Sequence, residues 1–187
     1  MSTLNILGIC GSLRAGSYNH MALDAARQRM PAGMALSLAD LADVPFYNKD
    51  VEDAGLPPAV ARLRDQVLAA DALLIASPEY NFSVTGVLKN SIDWLSRCSP
   101  QPFKDKPVAI LSATQGPVGG ARNQYELRKI LGCLEALVLH KPELFINFCH
   151  TKFDAHGQLT DETTSKLLTD QQAAFERWIR RMRLPAA

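Results

Sequence analysis

Two periodicities alternate along this chain. Short apolar runs at residues 4–10 (Leu-Asn-Ile-Leu-Gly-Ile-Cys), 35–38, 71–76 and 108–112 read as buried strands. Between them the apolar residues recur at helical spacing. A first helix starts near Ser17 and carries Met21, Leu23, Ala25, Ala26 and Met30 to a stop at Pro31. A second, over 60–70, places Val60, Leu63, Val67 and Leu68 on one face. Helices over 87–98 and 121–134 follow. Residues 137–147 supply a last strand, broken by Pro142. Thr160-Asp161-Glu162 opens a terminal helix with acids matched to its dipole, and Leu167, Leu168, Phe175, Trp178 and Ile179 are expected to face inward. Residues 44–58, with three prolines, read as the longest irregular connection. Five strands alternating with helices predict an α/β domain: a parallel sheet, right-handed crossovers and helices on both faces.

Composition adds bounds. A chain of 187 residues fits one domain over 1–187, able to bury roughly 70% of its unfolded surface. Hydrophobic residues make up 47%, charged residues 21%, and net charge is only +1. That balance favours neither nucleic acid nor an anionic membrane. Arg177, Arg180, Arg181 and Arg183 cluster near the end, where they complement the C-terminal dipole of the last helix. No signal-peptide order and no spanning apolar run is evident, so the expected compartment is the cytoplasm. Cys10, Cys98, Cys133 and Cys149 lie far apart, which suits buried thiols in a reducing compartment better than disulfides or zinc. No metal site is expected.

The chemistry concentrates in two loops that follow apolar strands. In Gly11-Ser12-Leu13-Arg14-Ala15-Gly16-Ser17-Tyr18-Asn19, Ser12, Ser17 and Asn19 supply neutral donors and Arg14 a forked cation. The glycines let the backbone come close, and the helix starting near Ser17 aims free N–H groups at the same spot. This is a seat for a phosphate. Ser17 stands where a P-loop needs lysine, no Gly-x-Gly-x-x-Gly follows the strand, and no arginine lies six residues after Cys10. Nucleotide hydrolysis, a dinucleotide fold and a cysteine phosphatase are thereby disfavoured. A plain serine-rich helix cap is the competing reading.

The second loop, Pro78-Glu79-Tyr80-Asn81-Phe82, offers backbone groups and two aromatic rings at one edge, suited to a planar hydrogen-bonding ring. Alone it reads equally as a structural turn. Beside a phosphate seat at the neighbouring strand end, a mononucleotide-like cofactor explains both.

These residues resemble a known family. Gly11-Ser12-Leu13-Arg14-x-x-Ser17-x-Asn19 and Pro78-Glu79-Tyr80-Asn81-x-Ser83-x-x-Gly86-x-Leu88-Lys89-Asn90-x-Ile92-Asp93-Trp94-x-Ser96-Arg97 are similar to the NAD(P)H-dependent FMN reductases, in particular the chromate and quinone reductase branch. Gly116-x-x-Gly119-Gly120-Ala121-Arg122, Leu127-Arg128, Pro142-Glu143 and Leu159-Thr160-Asp161-Glu162 extend the match over residues 4–179. Thr85 departs from it, standing where the family has proline, and this predicts a looser second loop.

The resemblance implies a flavodoxin-like three-layer sandwich with a five-stranded parallel sheet in the order 2-1-3-4-5. It implies FMN held non-covalently. Ser12, Arg14, Ser17 and Asn19 would hold its phosphate, Pro78, Glu79, Tyr80, Asn81 and Phe82 would line its ring, and Gln115 and Gly116 would approach from the other side. NAD(P)H would deliver hydride to flavin N5, and a small-molecule acceptor (a quinone, free flavin, an azo compound or chromate) would then take its place in the same pocket. Arg14 has a second reading, as a contact for the anionic dinucleotide. Homodimers or homotetramers are implied, with residues 88–97 as a candidate contact and Trp94 placed either there or in the core. The competing functions are a non-enzymatic flavodoxin-type carrier, which the near-neutral charge disfavours, and a flavin-binding regulatory protein.

Overall fold

The computed structural model describes residues 3–183, so the expectation of one domain over 1–187 runs past the described residues at both ends. The chain runs through β1 (Leu4–Cys10), α1 (Tyr18–Arg27), β2 (Met34–Leu38), α2 (Lys49–Asp53), α3 (Pro58–Ala69) and β3 (Ala72–Ala76). A hairpin of β4 (Glu79–Tyr80) and β5 (Ser83–Val84) leads to α4 (Gly86–Leu95). Then come β6 (Pro107–Ala113), α5 (Ala121–Cys133), β7 (Leu137–Val138), β8 (Leu144–Ile146), a 3-10 turn at Cys149–Thr151 and α6 (Glu162–Met182).

The main sheet is parallel in the order β2-β1-β3-β6, with β7 and β8 both pairing with β6. This is the flavodoxin-like order expected, with one difference in strand count. The last strand is two short pieces, β7 beside Pro107 and Val108 and β8 beside Leu111–Ala113. Pro142, which cannot donate a ladder bond, sits in the gap between them.

Alternation along the central strands fills two cores. Leu4, Ile6, Leu74 and Leu111 pack with Leu23 of α1 and Phe175 and Ile179 of α6. Leu7, Ile9, Leu73, Ile75 and Ile110 pack with Leu63, Ile92 and Leu127 of α3, α4 and α5. Leu167 corrects the expected inward face of α6: it is 47% exposed, whereas Leu168, Phe175 and Ile179 are buried. It lies one residue, about 100° of rotation, off their stripe. Gln171 and Gln172 are buried on that face instead, and Gln171 Nε2 donates to the Ile110 carbonyl.

The irregular segment contains a helix, α2, whose Asn48 cap accepts from Asp50 N. The segment is clamped onto α4. The Pro45 carbonyl accepts from Trp94 Nε1 at 2.7 Å and Asn90 Nδ2 at 2.8 Å, and Tyr47 N donates to Asn90 Oδ1. Trp94 is fully buried, which decides its two readings in favour of the core. Of the arginine cluster, Arg180 pairs with Glu176, and Arg183 reaches Asp71 at 2.8 Å to tie the end of α6 to the start of β3. Among the described residues no helix is long and apolar enough to cross a membrane.

Candidate functional site

Cys10 and Ala76 are register partners, so the segments after β1 and β3 leave the carboxyl edge of the sheet side by side. There the strand order reverses, the place where open α/β sheets bind ligands. A cavity of about 290 Å³ opens at this edge, lined by eight of the eleven predicted site residues: Ser12, Arg14, Ser17, Asn19, Pro78, Glu79, Tyr80 and Gln115. Tyr18, Ala113, Thr114 and Cys149 complete its wall. Asn81, Phe82 and Gly116 lie outside the lining.

The first segment fits an anion. Ser17 caps α1, its Oγ accepting from Asn19 N at 3.3 Å, and the helix N-terminus faces the cavity. The Arg14 guanidinium has no carboxylate partner among the described residues and rests over the Tyr18 ring, 5.7 Å from its centroid. Its charge is therefore free for a phosphate. Asn19 is used differently from its neighbours: Nδ2 donates to the Ala113 carbonyl at 2.9 Å, and Oδ1 accepts from Ala113 N at 3.0 Å. This reciprocal pair locks α1 to β6. His20, which sequence reasoning missed, lies 3.1 Å from the Ser12 carbonyl, so its Nε2–H is the donor there.

The second segment is a hairpin with a two-residue turn, and its one carboxylate is already committed. Glu79 Oε2 accepts from Asn123 N at 3.2 Å, a cap supplied from outside to α5, whose own N-cap is Gly120. Ser77 and Asn123 exchange two hydrogen bonds of 2.7 Å below it. Left exposed are Tyr80 (58%) and Phe82 (65%). Asn81 and Phe82 make the turn with φ of 52° and 66°, and the Arg122 guanidinium lies over the Phe82 ring at 4.2 Å. Left-handed backbone suits asparagine but strains a phenylalanine, and such strain gathers at functional sites. Tyr80, with Ser12 and Arg14, also borders a second cleft of about 290 Å³ toward Gly86 and Val87.

Thr85 corrects the expectation of a looser loop. It is buried, with 2% exposure, and its Oγ1 donates to the Gly11 carbonyl at 2.7 Å. A Cβ on Gly11 would lie 3.0 Å from Pro78 and 3.1 Å from Thr85 Oγ1, so glycine permits the close approach of the two loops.

The third wall is held by backbone bonds. Thr114 N donates to Ile146 O, Cys149 N to Thr114 O and Phe148 N to Gly116 O. Gly120, at φ 87°, allows the start of α5 to pass Ser112, whose Cβ would be 2.7 Å from any Cβ there. Residues 148–149 escaped the sequence reading because their place in the wall depends on pairing across the sheet. Burial pushes the thiols of Cys10 and Cys149 up to about 11, so both stay protonated at neutral pH and offer no nucleophile.

A guanidinium with no carboxylate partner and a helix N-terminus beside an exposed aromatic ring, at the switch point of a flavodoxin-like sheet, have the form of a mononucleotide-binding α/β protein. Comparison with known proteins agrees. The family model for NADPH-dependent FMN reductase matches residues 4–151. The chain is 51% identical over 180 residues to an NAD(P)H-dependent FMN reductase of Pseudomonas aeruginosa, covering 96% of this chain and 97% of that one. It is 42% identical over 184 residues to a quinone reductase of Escherichia coli K12, covering 97% and 98%. The solved flavoenzyme FerB, an NAD(P)H:(acceptor) oxidoreductase from Paracoccus denitrificans, superposes with a TM-score of 0.89 at 33% identity, covering 96% and 99%. The chain belongs to the NADPH-dependent FMN reductase family. It is an NAD(P)H-dependent oxidoreductase with FMN as its cofactor.

Proposed function

We propose that this chain is a single-domain cytoplasmic enzyme that reduces quinones, and also free flavin, azo compounds and chromate-type anions, at one exchange site. The observation that carries the reading is the pairing of an unspent Arg14 guanidinium and helix N-terminus with the exposed ring of Tyr80 across one cavity. The chemistry supplied by bound FMN is two-electron transfer, from NAD(P)H to an acceptor, at the isoalloxazine ring.

The protein's part is to bind and orient. Arg14, the Ser12 and Ser17 hydroxyls and the first turn of α1 would hold the phosphate by charge-assisted hydrogen bonds. Asn19 would serve that seat by fixing α1 against Ala113 rather than by direct contact. Backbone groups of Pro78, Glu79 and Tyr80 would meet the polar edge of the ring, with Gln115 opposite. Asn81, Phe82 and Gly116 would shape the rim. An open rim with aromatic surface suits ligands that come and go, the requirement for donor and acceptor to share one face. A homodimer or homotetramer with the site near a subunit contact is part of the same proposal, with the exposed side of α4 as the contact.

The visible spectrum of the purified protein, followed by anaerobic NADH and then NADPH, tests this reading. A flavin spectrum that bleaches with either donor and recovers on adding a quinone is expected. A colourless protein that ignores added FMN refutes it.

A further inference from the structure

We propose that Thr85 is a positioning residue that couples the anion seat to the aromatic hairpin, so that phosphate grip and acceptor access are set together. The proposal rests on the FMN reading above.

Thr85 occupies the N-cap position of α4, with φ −66° and ψ 151°. A threonine there ordinarily turns its oxygen onto the first free N–H groups of the helix. Here the side chain makes no cap bond, and the hydroxyl donates instead to Gly11 O, 74 residues away. The helix forgoes its own cap to hold a loop.

What that bond fixes follows from peptide geometry. A trans peptide is planar, so holding the Gly11 carbonyl fixes the whole 11–12 peptide plane. His20 holds the next carbonyl, Ser12 O, from α1. The Leu13 N–H must then point the opposite way from that carbonyl. The first two peptide planes of the anion loop are therefore set from outside, one by each neighbouring helix.

Thr85 also follows directly on β5, whose pairing Tyr80↔Ser83 carries the exposed Tyr80. Tyr80 and Ser12 border both clefts. A shift at Thr85 moves the root of the phosphate loop and the root of the hairpin together. The packing of Pro78, Thr85 and Leu88 around Gly11 at 3.0 to 3.2 Å of a would-be Cβ leaves no slack to absorb such a shift.

The test compares wild type, Thr85→Val and Thr85→Ser, each stripped of FMN, titrated with FMN, and then assayed at saturating FMN with NADH and a quinone. Thr85→Val keeps the branched shape and removes the donor, leaving the Gly11 carbonyl unpaired. The FMN Kd is expected to rise about tenfold and the quinone KM about threefold, with Thr85→Ser restoring both. A residue with only a structural role would lower the melting temperature and leave Kd and KM in place. An FMN Kd within about twofold of wild type overturns the proposal, and so does a serine variant that fails as valine does. A raised Kd with unchanged quinone KM confines Thr85 to the anion loop and overturns the coupling. If the valine variant is not recovered folded, Thr85→Cys, a weaker donor of similar size, takes its place against serine. Failure of the FMN reading itself shows separately, as wild type that binds no FMN.

Discussion

The loop after β1 and the hairpin after β3 stand side by side and are built by opposite means. The first is clamped through its backbone, with Gly11 and Ser12 carbonyls held by Thr85 and His20, and it keeps the charge of Arg14 unspent. The second spends its carboxylate, Glu79, on the start of α5, where Ser77 just before it also bonds, and leaves two aromatic rings in solvent over a strained turn. A rigid backbone with a free charge suits a group that stays bound. Exposed rings on a turn suit groups that exchange.

Asn19 separates seat from scaffold most clearly, because it belongs to the first loop by sequence and to the scaffold by its bonds. Asn19→Ala leaves both the N–H and the C=O of Ala113 buried and unpaired. A loss of about 2–4 kcal/mol of global stability is expected, read from urea unfolding of the FMN-free protein. Arg14→Ala should behave inversely. Its effect is a fall in FMN affinity of about 1.5–3 kcal/mol, roughly tenfold to a hundredfold, seen by fluorescence titration. The FMN-free Arg14 variant should unfold within about 0.5 kcal/mol of wild type. Equal stability losses in the two variants would erase the distinction between seat and scaffold.

The same pair shows what the sequence made legible. Apolar runs and helical spacing announced the parallel sheet because burial on both faces leaves a local trace in strands such as Ala72–Ala76. Ser17 and Arg14 were readable because a helix cap and a free cation act where they stand in the chain. Asn19 looked like one more donor, since nothing local reveals that Ala113, 94 residues on, takes both ends of its carboxamide. Thr85 misled for a related reason: its residue type suggested a missing proline, while its hydroxyl finds a partner 74 residues back. The two-piece last strand, the hairpin β4–β5 and the Cys149 wall likewise depend on pairings made across the sheet. Leu167 failed through phase alone, one residue off the buried stripe.

Tyr80→Ala sharpens the hairpin side. With the ring more than half exposed, its removal should leave FMN content and stability nearly unchanged. The quinone KM should shift about threefold or more in steady-state assays. Unchanged constants for every acceptor would take Tyr80 out of the exchange face.

The smallest effect is the most diagnostic of strain. Phe82 sits at φ 66° with Arg122 over its ring, so two opposed contributions meet in one residue. Left-handed backbone costs a side-chain-bearing residue roughly 1–2 kcal/mol relative to glycine, while an exposed cation–π contact returns about 0.5–1 kcal/mol. Phe82→Ala removes the contact and keeps the strain, and should destabilise by about 0.5–1 kcal/mol. Phe82→Gly removes both, but gives back part of the relief through the greater freedom of the unfolded chain, about 0.5–1 kcal/mol. Glycine should therefore be at least as stable as alanine at this position, the reverse of their order in a helix or strand, as read from paired urea curves. Were alanine clearly the more stable, the turn would carry no strain, and Phe82 would be held for its ring alone.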